Sequence, residues 1–309
     1  MQKTGLEFYK ELLGITPPFL EKYIYSPGLW RLKRVGYFCG MDYASKDLYQ
    51  FKEYISRYDH SLTTALWTWK YTQSPEMTLA ALFHDIATPC FSHVIDYMNK
   101  DYMTQESTEV FTQNVIMSSR YIQSCLKEDG IKRENVTCFK DYSIVDNQRP
   151  KLCADRLDGT ILTAYGWTKE MSLEEIEAIV KNIEVYQNEN QEAELGFQDE
   201  TLARSFVEHA RHINKLCHSN EDNYMMELLA SITRQGIQER LFTYRELYLF
   251  SEEDLLALLE TSKKERLRQD LEKFYKIKKE EIEEIQLPPI KERKVNPLVR
   301  GRRLMTKED

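Results

Sequence analysis

The sequence predicts an all-α fold, with a helical core, an additional C-terminal helical region and room for a few short strands. Apolar residues recur at spacings of three and four along most of the chain, the pattern of helices that bury one face. Helix-start signals accompany this pattern: Ser172 and Ser251 are each followed, three residues on, by an acidic residue. Hydrophobic residues make up 42% and charged residues 30% of the 309 positions, as expected of a globular protein with a sizeable core.

The helical pattern is strongest in eight segments. They cover residues 46–72, 76–86, 104–128, 151–166, 172–189, 199–217, 222–240 and 251–260. Residues 29–43 predict a turn of helix followed by irregular or extended chain, and residues 130–150 predict a loop.

We divide the chain into three parts: a core with an N-terminal extension (1–170), a helical satellite region packed on it (171–287) and a basic C-terminal tail (288–309). The charge-rich segment 263–285 predicts a solvated helix or helix–strand element rather than a binding motif. The tail is either an arm for a polyanion or a frayed, solvated terminus, and we favour the second. Its cations are Lys291, Arg293, Lys294, Arg300, Arg302, Arg303 and Lys307.

Charge and cysteine usage restrict the classes of function. The net charge of −8 argues against a nucleic-acid-binding body. Six cysteines are scattered singly without a C-x-x-C pair, so a zinc knuckle is not expected and reduced thiols in a cytoplasm are the simplest interpretation. The N-terminal residues do not resemble a secretory signal, and no apolar run approaches the ~18 residues of a membrane span. We therefore expect a cytoplasmic protein without a membrane partner.

Three parts of the chain carry candidate metal ligands. The stretch TLAALFHDIATPCFSHVID places His84 and Asp85 at the end of an apolar helix whose core they are not needed to fill. His60 opens another apolar helix, and Asp155 and Asp158 lie three residues apart on similar faces of a third. Any one of these residues alone is more often structural than a ligand. Two imidazoles and two carboxylates together suit one divalent ion, whether Mn, Fe, Co, Ni, Zn or Mg.

The order of these residues resembles a known signature. His60, then His84-Asp85, then Asp155 resembles the H…HD…D pattern of the HD superfamily of metal-dependent phosphohydrolases, whose core is a helical bundle. The segments RLKRVGYF, SRYDHSL, HDIATPCFSHVID, ADRLD and KERKVNPLV resemble the deoxynucleoside triphosphate triphosphohydrolase-like branch. The resemblance covers roughly residues 25–300.

The resemblance implies roles for individual residues. The metal ligands would be His60, His84, Asp85 and Asp155, and Asp85 is also a catalytic candidate. Arg57, His93 and Arg156 fall on positions that contact substrate phosphates, for which a guanidinium offers a planar fork. Asp96 falls on the acid that orients a catalytic histidine. Without the resemblance, Arg57 could equally form a surface pair with Asp59 or Glu53, and His93 could be core packing.

Three positions depart from the branch. Thr88 and Gln105 stand where the branch has histidines that transfer protons, and neither side chain replaces a histidine near pH 7. Gly159 stands where the branch has an aromatic residue near the substrate. Triphosphohydrolase activity specifically is therefore not expected.

We predict a metal-dependent phosphohydrolase that acts on a nucleotide or another small phosphorylated metabolite, with a metal-bound water as the nucleophile. The alternative is a catalytically weakened protein that acts as a nucleotide-binding sensor or scaffold. A nucleic-acid binder using the basic tail is a weaker third hypothesis. Self-association into a homo-oligomer is expected only by analogy with the branch.

Overall fold

The computed structural model describes residues 3–305, and over this range the chain is mostly helical, as predicted. The α-helices, labelled α1 to α15 in chain order, are Gly5–Leu13, Glu21–Ile24, Pro27–Arg31, Arg57–Thr72, Pro75–Phe83, Val94–Asn99, Thr112–Ser118, Arg120–Glu128, Glu134–Thr137, Ala154–Gly166, Leu173–Asn182, Glu200–Cys217, Asn220–Gln238, Glu252–Glu260 and Glu265–Lys276. The strands β1 to β4 are Ile183–Gln187, Ala193–Phe197, Leu298–Val299 and Arg302–Arg303. The finer assignment to an HD-domain bundle stays a prediction.

The start of α4 is set by a capping box rather than by the apolar pattern. The hydroxyl of Ser56 accepts from the backbone N–H of Asp59, whose carboxylate accepts from the backbone N–H of Ser56. The predicted helix over 46–72 therefore becomes helical only at Arg57. This start fixes which way the first turn of α4 faces, and that turn carries His60.

Two other predicted helices are interrupted. The segment 104–128 contains α7 and α8, which are separated at Ser119, whose hydroxyl caps α8. The segment 172–189 ends its helix at Asn182 and continues as β1. Three- and four-residue periodicity cannot separate such a helix from the strand that follows it.

The four strands form one small sheet in the order β1-β2-β3-β4. Strand β2 pairs antiparallel with β1 and parallel with β3, and β4 closes the sheet antiparallel to β3. Gly196 on β2 faces Leu298 on β3, and a Cβ at Gly196 would lie 2.6 Å from the Leu298 carbonyl oxygen. Only glycine allows this close approach.

The C-terminal segment packs on the body, so the preferred prediction of a frayed, solvated tail is wrong for residues 288–305. The side chain of Val295 is buried, and β3 belongs to the sheet. The Arg303 guanidinium donates to both carboxylate oxygens of the fully buried Glu194, at 2.6 and 2.9 Å. Such a bidentate pair anchors the segment because removing Arg303 would leave a buried charge unpaired. Lys307 lies outside the described residues.

Two hydrophobic clusters form the core. One includes residues of α1, α4, α5, α10 and α12, and the other includes residues of α13, α14 and α15 together with Cys90 to Tyr97. Both clusters draw on residues before and after the predicted boundary at residue 170, and the three predicted domain limits stay predictions. In the described range, no helix combines the length and apolar character needed to cross a membrane.

Candidate metal centre and its cavity

Three helix ends bring the predicted metal ligands together. His60 lies in the first turn of α4, His84 and Asp85 follow the end of α5, and Asp155 lies in the first turn of α10. His60 Nε2 lies 3.2 Å from His84 Nε2 and 3.0 Å from Asp155 Oδ1. His84 Nε2 lies 3.6 Å from Asp155 Oδ1 and 3.8 Å from Asp85 Oδ2. Three donor atoms, from His60, His84 and Asp155, therefore converge on one point, and Asp85 Oδ2 lies beside His84 while it accepts from Arg57.

Hydrogen bonds at Nδ1 fix the tautomers of His60 and His84. His84 Nδ1–H donates to the carbonyl of Ala81 at 2.7 Å, and His60 Nδ1–H donates to the carboxylate of Asp158 at 2.7 Å. When neutral, both rings must therefore present the lone pair of Nε2 to the shared point. Metal-binding histidines are commonly oriented in this way by a carbonyl or carboxylate.

The donor set fits a divalent metal ion. With the two rings neutral, the imidazole lone pairs of His60 and His84 and a carboxylate oxygen of Asp155 face one another with no hydrogen between them. Bonds of about 2.0–2.2 Å place neighbouring ligands of one ion about 2.8–3.1 Å apart at octahedral angles and about 3.3–3.6 Å apart at tetrahedral angles. The separations of 3.0, 3.2 and 3.6 Å within this group lie in these ranges or between them. His60, His84 and Asp155 form a group able to hold a metal, and Asp85 offers a fourth donor, a second carboxylate oxygen, 3.8 Å from His84 Nε2.

The electrostatics of this point also favour a cation. Burial disfavours the charged form of His84, but Asp85 and Asp155 outweigh it and raise the pKa of His84 to about 10. The pKa of Asp155 lies well below its usual value because, against the effect of burial, His60 and His84 stabilise its charge. A site that holds extra protons so strongly is a site of negative potential, and a metal ion would compete for the same place.

Asp158 is a supporting residue whose role the sequence did not reveal. Besides His60, its carboxylate accepts from the Tyr9 hydroxyl at 2.6 Å and from the Thr63 hydroxyl at 2.9 Å. Trp67 Nε1 in turn donates to the Tyr9 oxygen at 2.6 Å. The three-residue spacing from Asp155 was the only signal, and it does place both carboxylates near His60 on its two sides.

Arg57 pairs with the candidate site rather than with the surface. Its Nη1 donates to Asp85 at 3.0 Å and its Nε donates to the Ser92 hydroxyl at 3.1 Å, whereas it forms no ion pair with Asp59 or Glu53. Burial disfavours its charge, yet Asp85 keeps the pKa of Arg57 above its ordinary value. A charged guanidinium therefore lies beside the candidate metal ligands.

His93 and Asp96 form a second buried pair. His93 Nδ1–H donates to Asp96 at 2.8 Å, and the other oxygen of Asp96 accepts from the backbone N–H of Ser107 at 3.0 Å. Burial lowers the pKa of His93. His93 lines the cavity, whereas the fully buried Asp96 stands behind it. The structure thus places Asp96 as a group that orients His93, away from the metal ligands.

Arg156 lies on the cavity wall but donates to the loop before α10. Its Nε donates to the carbonyl of Lys151 at 2.8 Å, its Nη1 to Asp146 at 3.4 Å and its Nη2 to Asn147. The structure therefore uses this guanidinium to hold the loop. Its predicted contact with a phosphate stays a prediction.

The three residues that differ from the branch, Thr88, Gln105 and Gly159, have different surroundings. Gln105 lines the cavity and its Oε1 accepts from Arg293 Nη2 at 3.2 Å, whereas Thr88 is fully buried and does not line it. A Cβ on Gly159 would lie 2.7 Å from the hydroxyl oxygen of Tyr37, whose ring packs on His60 with 4.9 Å between the ring centroids. Tyr37 thus occupies the space above Gly159, and no local sequence pattern had indicated it.

One cavity of about 230 Å³ is lined by the four candidate metal ligands and by Arg57, His93, Gln105 and Arg156, whereas Thr88, Asp96 and Asp158 do not line it. Further cationic side chains lie elsewhere on its wall. An aromatic group completes the wall; its members are Phe38, Tyr49, Phe51 and Trp167. Phe38 and Phe51 stack with centroids 4.3 Å apart. The cavity wall thus combines candidate metal ligands, cations and aromatic rings.

Comparison with known proteins gives a distant relationship. No family model matches the chain. The chain is 29% identical over 147 residues to the uncharacterized protein YdhJ of Bacillus subtilis, a match that covers 47% of this chain and 43% of YdhJ. It is 25% identical over 134 residues to the metal-dependent phosphohydrolase cns2 of Cordyceps militaris, covering 43% of this chain and 37% of that protein. The matched part therefore spans less than half of either relative.

These findings agree with the site at a coarse level. The chain has a distant relative named as a metal-dependent phosphohydrolase, and it brings together a His/Asp group able to hold a metal ion. The named activity is that of the relative, and the His/Asp group of this chain is a candidate metal site.

Proposed function

We propose that the protein is an HD-domain phosphohydrolase that uses one divalent metal ion to hydrolyse a nucleotide or another small phosphorylated metabolite. The observation that carries the proposal is the convergence of two imidazole lone pairs and one carboxylate oxygen, with a second carboxylate, Asp85, and the buried Arg57 beside them. The assignment to the triphosphohydrolase-like branch, the cytoplasmic location and a homo-oligomeric state belong to the same proposal, and they rest on resemblance.

The proposed ligands are His60, His84, Asp85 and Asp155. A divalent metal held by them would polarise a phosphoryl oxygen and lower the pKa of water, which supplies a nucleophile near neutral pH. Asp158 and the Ala81 carbonyl keep the two rings in the tautomer that binds metal.

Arg57 and His93 bind the phosphate in this proposal. Arg57 lies beside Asp85 and offers a guanidinium that stays charged, which would stabilise the charge that builds on phosphate oxygens. His93 keeps its Nδ1–H on Asp96, so its Nε2 is the atom left for substrate. Asp96 thus contributes to catalysis through the orientation of His93. Arg156 supports the loop that forms the neighbouring wall.

A nucleotide-binding sensor or scaffold is the second candidate. Gln105 favours it, because its amide oxygen accepts a hydrogen bond from Arg293 at a position where the branch has a proton-transferring histidine. Such a protein would hold metal and ligand but would not turn the ligand over.

The test is phosphate release from a panel of nucleotides and phosphoesters, with each of Mn²⁺, Fe²⁺, Co²⁺, Ni²⁺, Zn²⁺ and Mg²⁺ supplied. We expect release by the wild type and by His212→Gln, a change at a partly exposed histidine outside the cavity, and none by His84→Gln. Absence of release from every substrate by folded, metal-loaded wild type would refute the hydrolase. If a nucleotide is then recovered intact from the protein after long incubation, the sensor hypothesis is supported.

A further inference from the structure

Three cations line the cavity outside the metal ligands and their supporting residues. Arg149 lies in the loop before α10, and Lys291 and Arg293 belong to the C-terminal segment. All three share the cavity with His60 and Asp155, although they come from parts of the chain that are distant in sequence. We call these three side chains the cationic wall.

The backbone of the cationic wall is fixed by hydrogen bonds to the body of the protein. Lys291 N–H donates to the carbonyl of Tyr102 at 3.0 Å, and Arg293 N–H donates to the side-chain oxygen of Asn214 at 2.6 Å. Asn296 N–H donates to the carbonyl of Pro150 at 2.7 Å, which joins the C-terminal segment to the residue after Arg149. The backbone that carries Lys291 and Arg293 is therefore held against the body of the protein, beside the loop that carries Arg149.

None of the three forms an ion pair with any residue between 3 and 305. Lys291 Nζ donates to the carbonyl of Thr104 at 2.8 Å, and Arg293 donates to the neutral amide of Gln105. The nearby acidic side chains contact other residues. Glu109 pairs with Lys140 at 2.8 Å, Asp146 lies 3.4 Å from Arg156, and Asp222 accepts from the Tyr49 hydroxyl at 2.7 Å.

This arrangement has an electrostatic cost that an anion would remove. Burial, together with the nearby charges of Arg293 and Arg156, lowers the pKa of Arg149 to about 10. Burial, Arg149 and Arg293 likewise lower the pKa of Lys291. Like charges that lie close together, partly buried and without ion-pair partners, are the usual composition of a phosphate-binding site, where charge-assisted hydrogen bonds offset the repulsion.

We propose that the cationic wall is an anion subsite that holds a phosphate group other than the one attacked beside the metal ligands. The phosphate under attack already has a cation of its own in Arg57, which pairs with Asp85. The substrate would therefore carry a chain of at least two phosphates, rather than a single phosphomonoester. The attack on a phosphate beside the metal ligands depends on the proposed function. The binding of a phosphate to the cationic wall does not.

The test is calorimetric titration of chelator-treated protein with inorganic tripolyphosphate and, separately, orthophosphate. We expect one-site binding of tripolyphosphate to the wild type, at least tenfold tighter than that of orthophosphate. Arg149→Gln and Arg293→Gln should each weaken tripolyphosphate binding tenfold or more. Lys294→Gln, at a mostly exposed lysine paired with Glu292, removes the same charge from the same segment and should change binding less than twofold.

Thermal melts identify variants that fail to fold. If Arg293→Gln fails to fold, Arg149→Gln still tests the subsite. Arg149 is partly exposed and its side chain makes no hydrogen bond or ion pair within the described range, so we expect this variant to fold. Tripolyphosphate binding that is absent from folded wild type, or equal in wild type and Arg149→Gln, would overturn the subsite. Equal affinity for orthophosphate and tripolyphosphate would overturn the inference that the substrate carries a chain of phosphates. Because no metal and no turnover are involved, a failed hydrolase assay leaves this result intact.

Discussion

The two charged parts of the cavity are opposite in character. At the metal end, donor atoms from His60, His84 and Asp155 converge with Asp85 beside them, and the carboxylates there favour the binding of positive charge, whether a proton or a metal ion. On the cationic wall, partly buried positive charges approach one another without forming an ion pair. Each part has an excess of one charge that the protein itself does not neutralise.

This difference indicates what the cavity is built to hold. A phosphate chain that reaches from one part to the other would supply oxygen ligands to a metal at the first and negative charge to the second. Arg57 lies beside the metal end and is paired with Asp85, so it belongs to the first part and not to the wall. The comparison predicts that changes at the two parts will affect different measured quantities.

The largest effect is expected at the metal end. Asp155→Asn removes an anionic oxygen that lies 3.0 Å from His60 Nε2, and it should reduce metal-dependent phosphate release about 10³-fold or more, because the metal is asked to supply several kcal/mol of transition-state stabilisation. The assay is phosphate release at saturating metal. Asp141→Asn changes an exposed aspartate in the same way and should leave the rate unchanged. Similar rates in the two variants would contradict the site.

A smaller effect is expected from the buried carboxyl that supports the metal end from behind. Glu252 accepts from the backbone N–H groups of Gly36 and Phe91, both at 3.0 Å, next to the residues Tyr37 and Ser92 that contact His60 and Arg57. Burial, and then Asp42, raise the pKa of Glu252 to about 8. In the unfolded chain the pKa is about 4.3.

The sign of the pH dependence follows from these values. Between the two pKa values the folded protein holds a proton that the unfolded chain has released, so stability is greatest below pH 4–5 and is lost as the pH rises toward 8. The contribution is on the order of 5 kcal/mol, since one pKa unit corresponds to about 1.4 kcal/mol. Urea unfolding between pH 5.5 and 8.5 should show this decline in the wild type and a flatter profile in Glu252→Gln. Parallel profiles would disprove the assignment.

Asp158→Asn should weaken metal affinity by about 10- to 100-fold, because groups that orient a metal-binding histidine commonly contribute this much. The change alters the partner of His60 Nδ1 and leaves all four proposed ligands in place. Metal titration monitored by calorimetry gives the affinity. Tripolyphosphate binding to chelator-treated protein should be unchanged, and a parallel loss there would show that the two parts of the cavity are not independent.

The smallest effect concerns the contact between Gly159 and Tyr37. Gly159→Ala places a Cβ 2.7 Å from the Tyr37 hydroxyl oxygen and should destabilise the protein by about 1 kcal/mol. In a Tyr37→Phe background the closest atom is gone and the next, Cζ, lies at 4.0 Å, so alanine should instead stabilise α10 by about 0.5–1 kcal/mol. Urea unfolding of the four proteins measures the change of sign. A destabilisation of the same size in both backgrounds would contradict this packing.

The metal end was the more predictable part of the site because it is assembled from helix ends. The apolar period of α5 stops immediately before His84, the His60 helix has a capping box at its start, and Asp155 and Asp158 share a helical spacing. Local patterns therefore indicated the side chains that meet there. Their role as metal ligands stays a prediction.

The cationic wall could not be predicted from local patterns. Lys291 and Arg293 lie in a segment without periodicity, and the sequence favoured a solvated tail there. Their position depends on pairing between β3 and β2, on the close approach at Gly196 and on the buried pair of Arg303 with Glu194. These are contacts between residues about one hundred positions apart, and charge composition alone does not distinguish a docked basic segment from a free one.

The metal content of the purified protein shows most directly whether the His60, His84 and Asp155 group binds an ion. Wild type, Asp155→Asn and Asp141→Asn would be purified without chelator and measured by elemental analysis, with folding checked by thermal melts. The account predicts about one divalent ion per chain in the wild type and in Asp141→Asn, and nearly none in Asp155→Asn. Equal metal content in wild type and folded Asp155→Asn, or no metal in wild type even after reconstitution, would contradict it.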